Sequence, residues 1–180
     1  IENEPKTGRG MRIGVVVNPD AGLGGRLGFK GSDGRAKEAR EAGAVDRSGP
    51  RIQQCITKFI DLQQSSLNRI GVNPTFVSWS GRMGGDWLAG VEYEQRQLSP
   101  SESTATDTAA LVLDLVSANV DAILYAGGDG TTRDIVNALD GHETPLIGVP
   151  AGVKMHSGCF ATTPNAAAEV LLAFLQGDLM

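Results

Sequence analysis

Short apolar runs that recur along the chain constrain its fold more than any other feature of the sequence. They lie at Arg12–Val17, Thr75–Trp79, Asp121–Tyr125 and Pro145–Val149, and Val91–Arg96 is a less apolar candidate. The first run is apolar over nearly consecutive residues instead of alternating with polar ones. That pattern is typical of a strand in a parallel sheet that is covered on both faces.

Segments with a helical spacing of apolar residues separate these candidate strands. They cover residues 52–67 and 135–139, with a shorter helix predicted over 86–90. A capping box at Thr104–Asp107 opens another helix, and Thr163 followed by a proline opens the last. Strands that alternate with helices imply crossover connections, so we predict an α/β fold with a mostly parallel sheet flanked by helices. Ligands of such sheets bind beyond the carboxyl ends of the strands.

We predict two regions in the chain. Residues 1–10 are polar and are expected to form a flexible tail, and residues 11–180 are expected to form one α/β domain. Within that domain, residues 18–49 hold eight glycines and few large apolar groups. A stretch of this length without regular structure is uncommon in a compact domain and is often functional.

Composition argues against several classes of protein. The net charge is −5 with a pI of about 5.0, and no basic patch is evident, so nucleic acid is not an expected partner. No apolar run reaches the roughly 18 residues that span a bilayer. The first residues carry no apolar signal core. We therefore expect no membrane partner and a cytoplasmic location. Cys55 and Cys159 form no metal-ligand or redox motif, and Cys55 is expected to be a small buried apolar residue.

Glycine accounts for 24 of the 180 residues, about twice the usual ~7%, and the glycines gather in loops that follow strands. The strongest of these loops, residues 126–132, joins a predicted strand directly to a predicted helix. Without side chains in the turn, backbone N–H groups can face an anion, and the helix start adds unpaired donors and a positive dipole end. The loop therefore predicts a phosphate-binding turn, with contacts from Gly127, Gly128, Gly130, Thr131 and Thr132.

Asp129 lies in the middle of this turn, where a carboxylate and a phosphate would repel each other. Its presence suggests magnesium coordination or a general base that acts on a hydroxyl nucleophile. The alternative is an N-cap, with the carboxylate accepting the N–H of Thr131 or Thr132. The roles are compatible because a capping carboxylate can also hold a water molecule or a metal ion.

Two further loops follow strands and are rich in small residues. Residues 18–28 have a glycine spacing close to a dinucleotide fingerprint, but the loop does not run into a helix, so we reject hydride transfer. A phosphate-facing loop is the prediction and a mobile surface loop is the alternative. In residues 148–158, Lys154 is a candidate to neutralise a phosphate, with a plain exposed lysine as the alternative. The candidate contacts in these two loops are Asn18, Pro19, Ala21, Gly22, Gly24, Gly25, Gly152 and Lys154.

Together these loops resemble the ATP-NAD kinases. They look most like the branch of polyphosphate- or ATP-dependent NAD kinases that is grouped with acetoin-catabolism proteins. The resemblance runs in the family's order from residue 11 to about residue 175. The Gly-Gly-Asp-Gly-Thr element alone is shared with lipid kinases, whereas the combination is more specific. It consists of Asn18-Pro19-x-Ala21-Gly22-x-Gly24-Gly25, Gly31-Ser32-Asp33-Gly34, Gly127-Gly128-Asp129-Gly130-Thr131-x-Arg133-Asp134 and Val149-Pro150-Ala151-Gly152-Val153-Lys154-Met155.

The resemblance implies an N-terminal α/β domain like that of the phosphofructokinases and diacylglycerol kinases. It implies transfer of a phosphoryl group from ATP or polyphosphate to the adenosine-ribose 2′-hydroxyl of NAD, which gives NADP. It places Asp129 at the reacting hydroxyl and the surrounding glycines at the nucleotide phosphates, and it adds Asp33 to the nucleotide-binding candidates. Magnesium would accompany the phosphate donor. Nucleotides are thus the expected partners, and a homo-oligomer is left open.

The chain also departs from the family pattern. Family members continue into a second, mainly β domain that completes the NAD site, whereas this sequence ends at Met180, so we interpret it as a truncated chain or a fragment. An isolated first domain can bind nucleotide and still lack activity. The Asn-Glu pair of the classical NAD kinases has no match here, so the NAD-specific contacts have no support from residues.

Two other functions are compatible with the sequence. The first is a lipid or other small-alcohol kinase that shares the Gly-Gly-Asp-Gly-Thr motif, because residues 134–137 after the motif are similar to those of lipid kinases. The second is a non-catalytic nucleotide-binding module. Formation of a phosphorylated product with NAD, with a lipid or with neither would separate the three functions.

Overall fold

A computed structural model of the chain describes residues 10–19, 48–65, 73–150 and 163–177. These residues form a five-stranded sheet with helices on both faces. Residues 1–9 of the predicted tail lie outside the described ranges, as does most of the glycine-rich segment that follows the first strand. Within these ranges, no helix combines the length and the apolar character that a membrane span requires.

All five strands run in the same direction. The sheet order is β3-β2-β1-β4-β5, and each neighbouring pair is parallel. The predicted parallel α/β sheet is therefore confirmed. The third strand begins at Tyr93 instead of Val91, because Phe76 of the second strand pairs with Tyr93. The strands are β1 (Arg12–Val17), β2 (Thr75–Ser80), β3 (Tyr93–Leu98), β4 (Ala122–Gly127) and β5 (Leu146–Pro150).

The helices begin close to where the sequence predicts them. The N–H of Thr104 donates to the Asp107 carboxylate over 2.8 Å, and the Thr163 hydroxyl accepts the N–H of Ala166 over 3.0 Å, which confirms both predicted caps. The helix predicted over residues 86–90 is a single 3₁₀ turn, Gly85–Trp87, and the chain has left the helical conformation by Gly90, whose φ is +89°. The α-helices are α1 (Ser48–Gln64), α2 (Ala105–Ser117), α3 (Asp129–Leu139) and α4 (Pro164–Leu175).

The helices cover the sheet in two layers. One buried cluster joins α1 and α4 to one face of the sheet, and the other joins α2 and α3 to the opposite face. Gly14 lets α2 lie close to β1, since a Cβ at this position would be 2.8 Å from a methyl carbon of Leu115. Cys55 of α1 is fully buried, and this burial raises its pKa to about 12, which confirms the prediction of an apolar role.

Asp114 fastens α2 to the strands beneath it. Its carboxylate accepts the Trp79 indole N–H over 2.9 Å and the Arg96 guanidinium over 2.9 Å. Burial alone would raise the pKa of Asp114, but the hydrogen bonds from Arg96 and Trp79 outweigh that effect and hold the pKa below its ordinary value. The carboxylate form of Asp114 is therefore part of the contact between the helix and the sheet.

Candidate functional site

The carboxyl ends of β1 and β4 lie side by side at the centre of the sheet. Val17, the last residue of β1, pairs with Ala126 near the end of β4. From β1 the chain builds the sheet outward through β2 and β3, and from β4 it builds in the opposite direction to β5. In sheets of this kind, ligands bind at the carboxyl ends of the strands where the order reverses.

Asn18, which follows β1, is bonded to the turn that follows β4. Its backbone N–H donates to the carbonyl of Ala126 over 3.0 Å, and its side-chain amide donates to the Thr131 hydroxyl over 2.9 Å. The structure thus brings together two of the loops that the sequence singled out. Pro19, the next predicted contact, directly follows Asn18 and is buried.

The glycines of the turn at residues 126–132, called the central turn below, are required for different reasons. A Cβ on Gly127 would overlap the Thr131 side chain, so this position excludes any larger residue unless Thr131 moves. Gly130 is exposed, and a Cβ there would meet no described atom within 4 Å. Packing therefore does not explain Gly130, and its missing side chain leaves the backbone of the first helical turn accessible from outside.

Asp129 is the first residue of α3, and Gly128 is the residue that caps the helix. The carbonyl of Gly128 accepts the N–H of Thr132 over 3.1 Å, which closes the first helical turn. The cap position is thus Gly128 and not Asp129, whereas a bond from the Asp129 carboxylate to the N–H of Thr131 or Thr132 stays a prediction. The half-buried carboxylate of Asp129 lies at the positive end of the α3 dipole, next to N–H groups that have no partner within the helix.

Both threonines of the turn are buried and bonded to the protein. Thr131 is 4% exposed and accepts the Asn18 amide, as described above. Thr132 is 7% exposed, and its hydroxyl donates to the Gly128 carbonyl over 3.2 Å and lies 2.9 Å from the Tyr125 phenol oxygen. That either hydroxyl also donates to a nucleotide stays a prediction.

Residues 13–179 match the family described as ATP-NAD kinase N-terminal domain. The chain belongs to this family. The match includes the turn that carries Asp129, and it supports a kinase-like, nucleotide-related phosphotransferase. It confirms the family predicted from the three loops, whereas the acetoin-associated branch stays a prediction. A search of curated proteins found no match.

The third loop of this ATP-NAD kinase domain starts at the same edge of the sheet. Gly127 pairs with Pro150, the last residue of β5, so the chain leaves β5 beside the central turn. The remaining predicted contacts lie outside the described residues, and their contact with a nucleotide stays a prediction. They are Ala21, Gly22, Gly24, Gly25, Asp33, Gly152 and Lys154.

A fourth loop of the kinase domain, which the sequence analysis did not single out, supports the end of β1. It follows β2, and the carbonyl of Met83 accepts the N–H of Val17 over 2.9 Å. The glycines around Met83 were the available signal: Gly81 has a φ of +88°, and a Cβ on Gly84 would overlap Ser78. This loop holds the strand end from which Asn18 reaches the central turn.

Asp129 also bears on how the kinase domain would hold a metal ion. Within the described ranges, no three or more His, Cys, Asp or Glu side chains gather as ligands. One carboxylate beside a glycine-rich turn is compatible with magnesium, because that ion is commonly held by one or two carboxylates together with substrate phosphates and water. The described residues therefore fit an ion that arrives with its nucleotide.

Proposed function

We propose that this protein transfers a phosphoryl group from ATP or polyphosphate to the 2′-hydroxyl of NAD, forming NADP. The observation that carries the proposal is the position of Asp129, which is the first residue of α3 and directly follows the paired carboxyl ends of β1 and β4. Membership of the ATP-NAD kinase family supports the same chemistry.

The turn before α3 would bind the phosphates. The first N–H groups of a helix lack partners within it, and they attract anions together with the helix dipole. Gly128 and Gly130 leave this backbone uncovered, Gly127 makes room for Thr131, and the bond between Asn18 and Thr131 holds the turn against β1. Magnesium would be held mainly by the phosphates with which it arrives, and it would neutralise part of the charge on the transferred group.

Asp129 would also act on the acceptor. The attacking 2′-hydroxyl loses its proton as its oxygen bonds to phosphorus, and ADP or a shortened polyphosphate leaves. A carboxylate within hydrogen-bond reach of that hydroxyl can orient it and accept its proton. Phosphoryl transfer relies mainly on positioning and electrostatic stabilisation, which a glycine turn, a carboxylate and a metal ion supply together.

The first experiment is a calorimetric titration of the 180-residue chain with ATP and with NAD in the presence of magnesium, followed by an assay for NADP. We expect saturable binding of ATP and formation of NADP. A chain that binds neither ATP nor NAD would refute a nucleotide site at this edge of the sheet.

Binding without NADP would separate the alternatives from the proposal. Formation of a phosphorylated lipid or small alcohol together with ADP would assign the chain to another acceptor, in keeping with residues 134–137 after the motif. Binding without transfer to any acceptor would indicate a nucleotide-binding module. The cytoplasmic location and the choice between ATP and polyphosphate stay predictions from the sequence.

A further inference from the structure

Two buried hydroxyl groups lie directly behind the phosphate-binding turn. The Tyr125 side chain is on β4 with no exposed surface, and its phenol oxygen lies 2.9 Å from the hydroxyl of Thr132 on α3. The Thr132 hydroxyl lies 3.2 Å from the Gly128 carbonyl, which also accepts the Thr132 N–H. These contacts link the strand, the turn and the helix in one chain of hydrogen bonds.

The chemistry of the three groups fixes the direction of this chain. A carbonyl oxygen can only accept, so Thr132 must donate its single hydroxyl proton to Gly128. The Thr132 oxygen is then an acceptor, so the Tyr125 phenol donates to it. Because a buried hydroxyl without a partner is costly, this ordered chain resists any movement that separates the turn from β4.

A second side-chain bond holds the opposite side of the turn. Asn18 at the end of β1 donates to Thr131, the neighbour of Thr132. The consecutive threonines thus tie the start of α3 to two different strands. These two bonds restrain the stretch Gly127–Asp129. Without them, its two glycines would give the stretch more backbone freedom than other residues would.

We propose that Tyr125 is a positioning residue for phosphate binding. Through Thr132 it fixes the Gly128 carbonyl, and thereby the directions of the Asp129 carboxylate and of the first N–H groups of α3. Tyr125 itself does not touch the nucleotide. This inference rests on the proposed function, because it needs phosphates to bind at this turn.

The test removes the phenol oxygen alone. Tyr125→Phe keeps the ring that fills the apolar layer beneath α2 and α3, so the variant should fold. We expect its dissociation constants for ATP and for inorganic tripolyphosphate to rise by about three- to tenfold, the range that one hydrogen bond of ordinary strength supplies. An unchanged affinity for both ligands in the folded variant would overturn the positioning role.

The chain offers a matched control in its other tyrosine. The phenol of Tyr93 on β3 donates to the Ser78 carbonyl over 3.5 Å, and β2 and β1 lie between β3 and β4. Tyr93→Phe should therefore leave the affinity for ATP and tripolyphosphate unchanged. If both variants weaken binding equally, the effect is general loosening of the fold, and the proposal fails.

Thr132 variants show whether Tyr125 acts through this residue. Thr132→Ser keeps the hydroxyl and should retain the affinity, whereas Thr132→Val should weaken it at least as much as Tyr125→Phe. Adding Tyr125→Phe to Thr132→Val should cause a smaller loss than Tyr125→Phe causes alone, because the phenol then has no Thr132 hydroxyl to hold. Fully additive losses would contradict the chain of bonds, since independent sites add.

Failure of this inference is distinguishable from failure of the proposed function. If the unaltered chain binds neither ATP nor tripolyphosphate, both are refuted. If the unaltered chain binds them and Asp129→Asn stops phosphoryl transfer while Tyr125→Phe binds normally, only the positioning role is refuted.

Discussion

Asp129 follows two glycines and occupies the first position of a helix, so it lies in the same turn as the N–H groups that have no partner within the helix. Asp129→Asn preserves the shape and most of the hydrogen-bonding capacity of the side chain but removes its basicity. We expect NADP formation to fall by about 10²- to 10⁴-fold, the usual contribution of a general base, with little change in ATP affinity. Initial rates and calorimetry measure the two quantities, and undiminished turnover would remove Asp129 from catalysis.

Gly127 and Gly130 allow a paired test of the turn at the same scale. Gly127→Ala forces the Thr131 side chain away from its bond with Asn18, so we expect a loss of about 1–3 kcal/mol in the free energy of unfolding and weaker ATP binding.

Gly130→Ala is the contrasting case because its methyl group meets no described atom and alanine favours a helix. It should raise the free energy of unfolding by about 0.5–1 kcal/mol while still weakening ATP binding, since the methyl group covers backbone that the phosphates approach. Denaturant unfolding measures the free energy of unfolding of both variants, and calorimetry measures their affinity for ATP. Unchanged ATP affinity in Gly130→Ala would place the phosphates elsewhere on the domain.

At the scale of elements, Asp114 makes the attachment of α2 to the sheet dependent on pH. Its pKa is below the ordinary 3.8 in the folded chain, so its stabilising effect is present above that value and is lost as the pH falls through the lower folded-state pKa. The Asp114 side chain is 14% exposed and that of Arg96 is 35% exposed, so solvent screens the pair. We expect Asp114→Asn to lower the free energy of unfolding by about 1 kcal/mol at neutral pH.

The difference between this variant and the unaltered chain should shrink once the pH falls below 3.8, because Asp114 then takes up a proton on unfolding, whereas asparagine is uncharged at every pH. Asp140→Asn is the matched control, as Asp140 is exposed at the end of α3 with a φ of +42° that asparagine also tolerates. Its effect should stay within about 0.5 kcal/mol. A loss in Asp114→Asn that stays the same as the pH falls would contradict the role of the Asp114 charge in holding α2.

For the whole molecule, the features predictable from sequence are those that depend on neighbours along the chain. The strands, the caps of α2 and α4 and the turn around Asp129 each have a local pattern, and all of these elements formed. The bond between Asn18 and Thr131 depends on β1 and β4 being adjacent in the sheet, and local pattern suggests only that both loops share an edge. To predict the contact between Tyr125 and Thr132, one must know which side of β4 faces α3. To predict the role of the loop after β2, one must know its contact with Val17. These long-range relations became visible only in the folded chain.

The candidate site at the carboxyl ends of β1 and β4 predicts how ligands should change the stability of the whole domain. A ligand that binds only the folded chain stabilises it by about 2.7 kcal/mol at a concentration of 100 times its Kd. For a chain of this size, that corresponds to a rise in Tm of about 5 to 10 °C. ATP and tripolyphosphate should both produce such a rise with the unaltered chain and with Asp129→Asn. Compared at the same concentration, both should produce a smaller one with Gly127→Ala.

NAD should raise the Tm less than ATP at equal concentration. The described edge offers backbone donors for phosphates, whereas the sequence supplies no residues that match the NAD-specific pair of the classical kinases. Thermal unfolding with each ligand in turn measures the order. A larger shift with NAD than with ATP would mean that the nucleoside halves of NAD have their own contacts on this domain, and the acceptor would then be recognised here independently of the phosphate-binding turn.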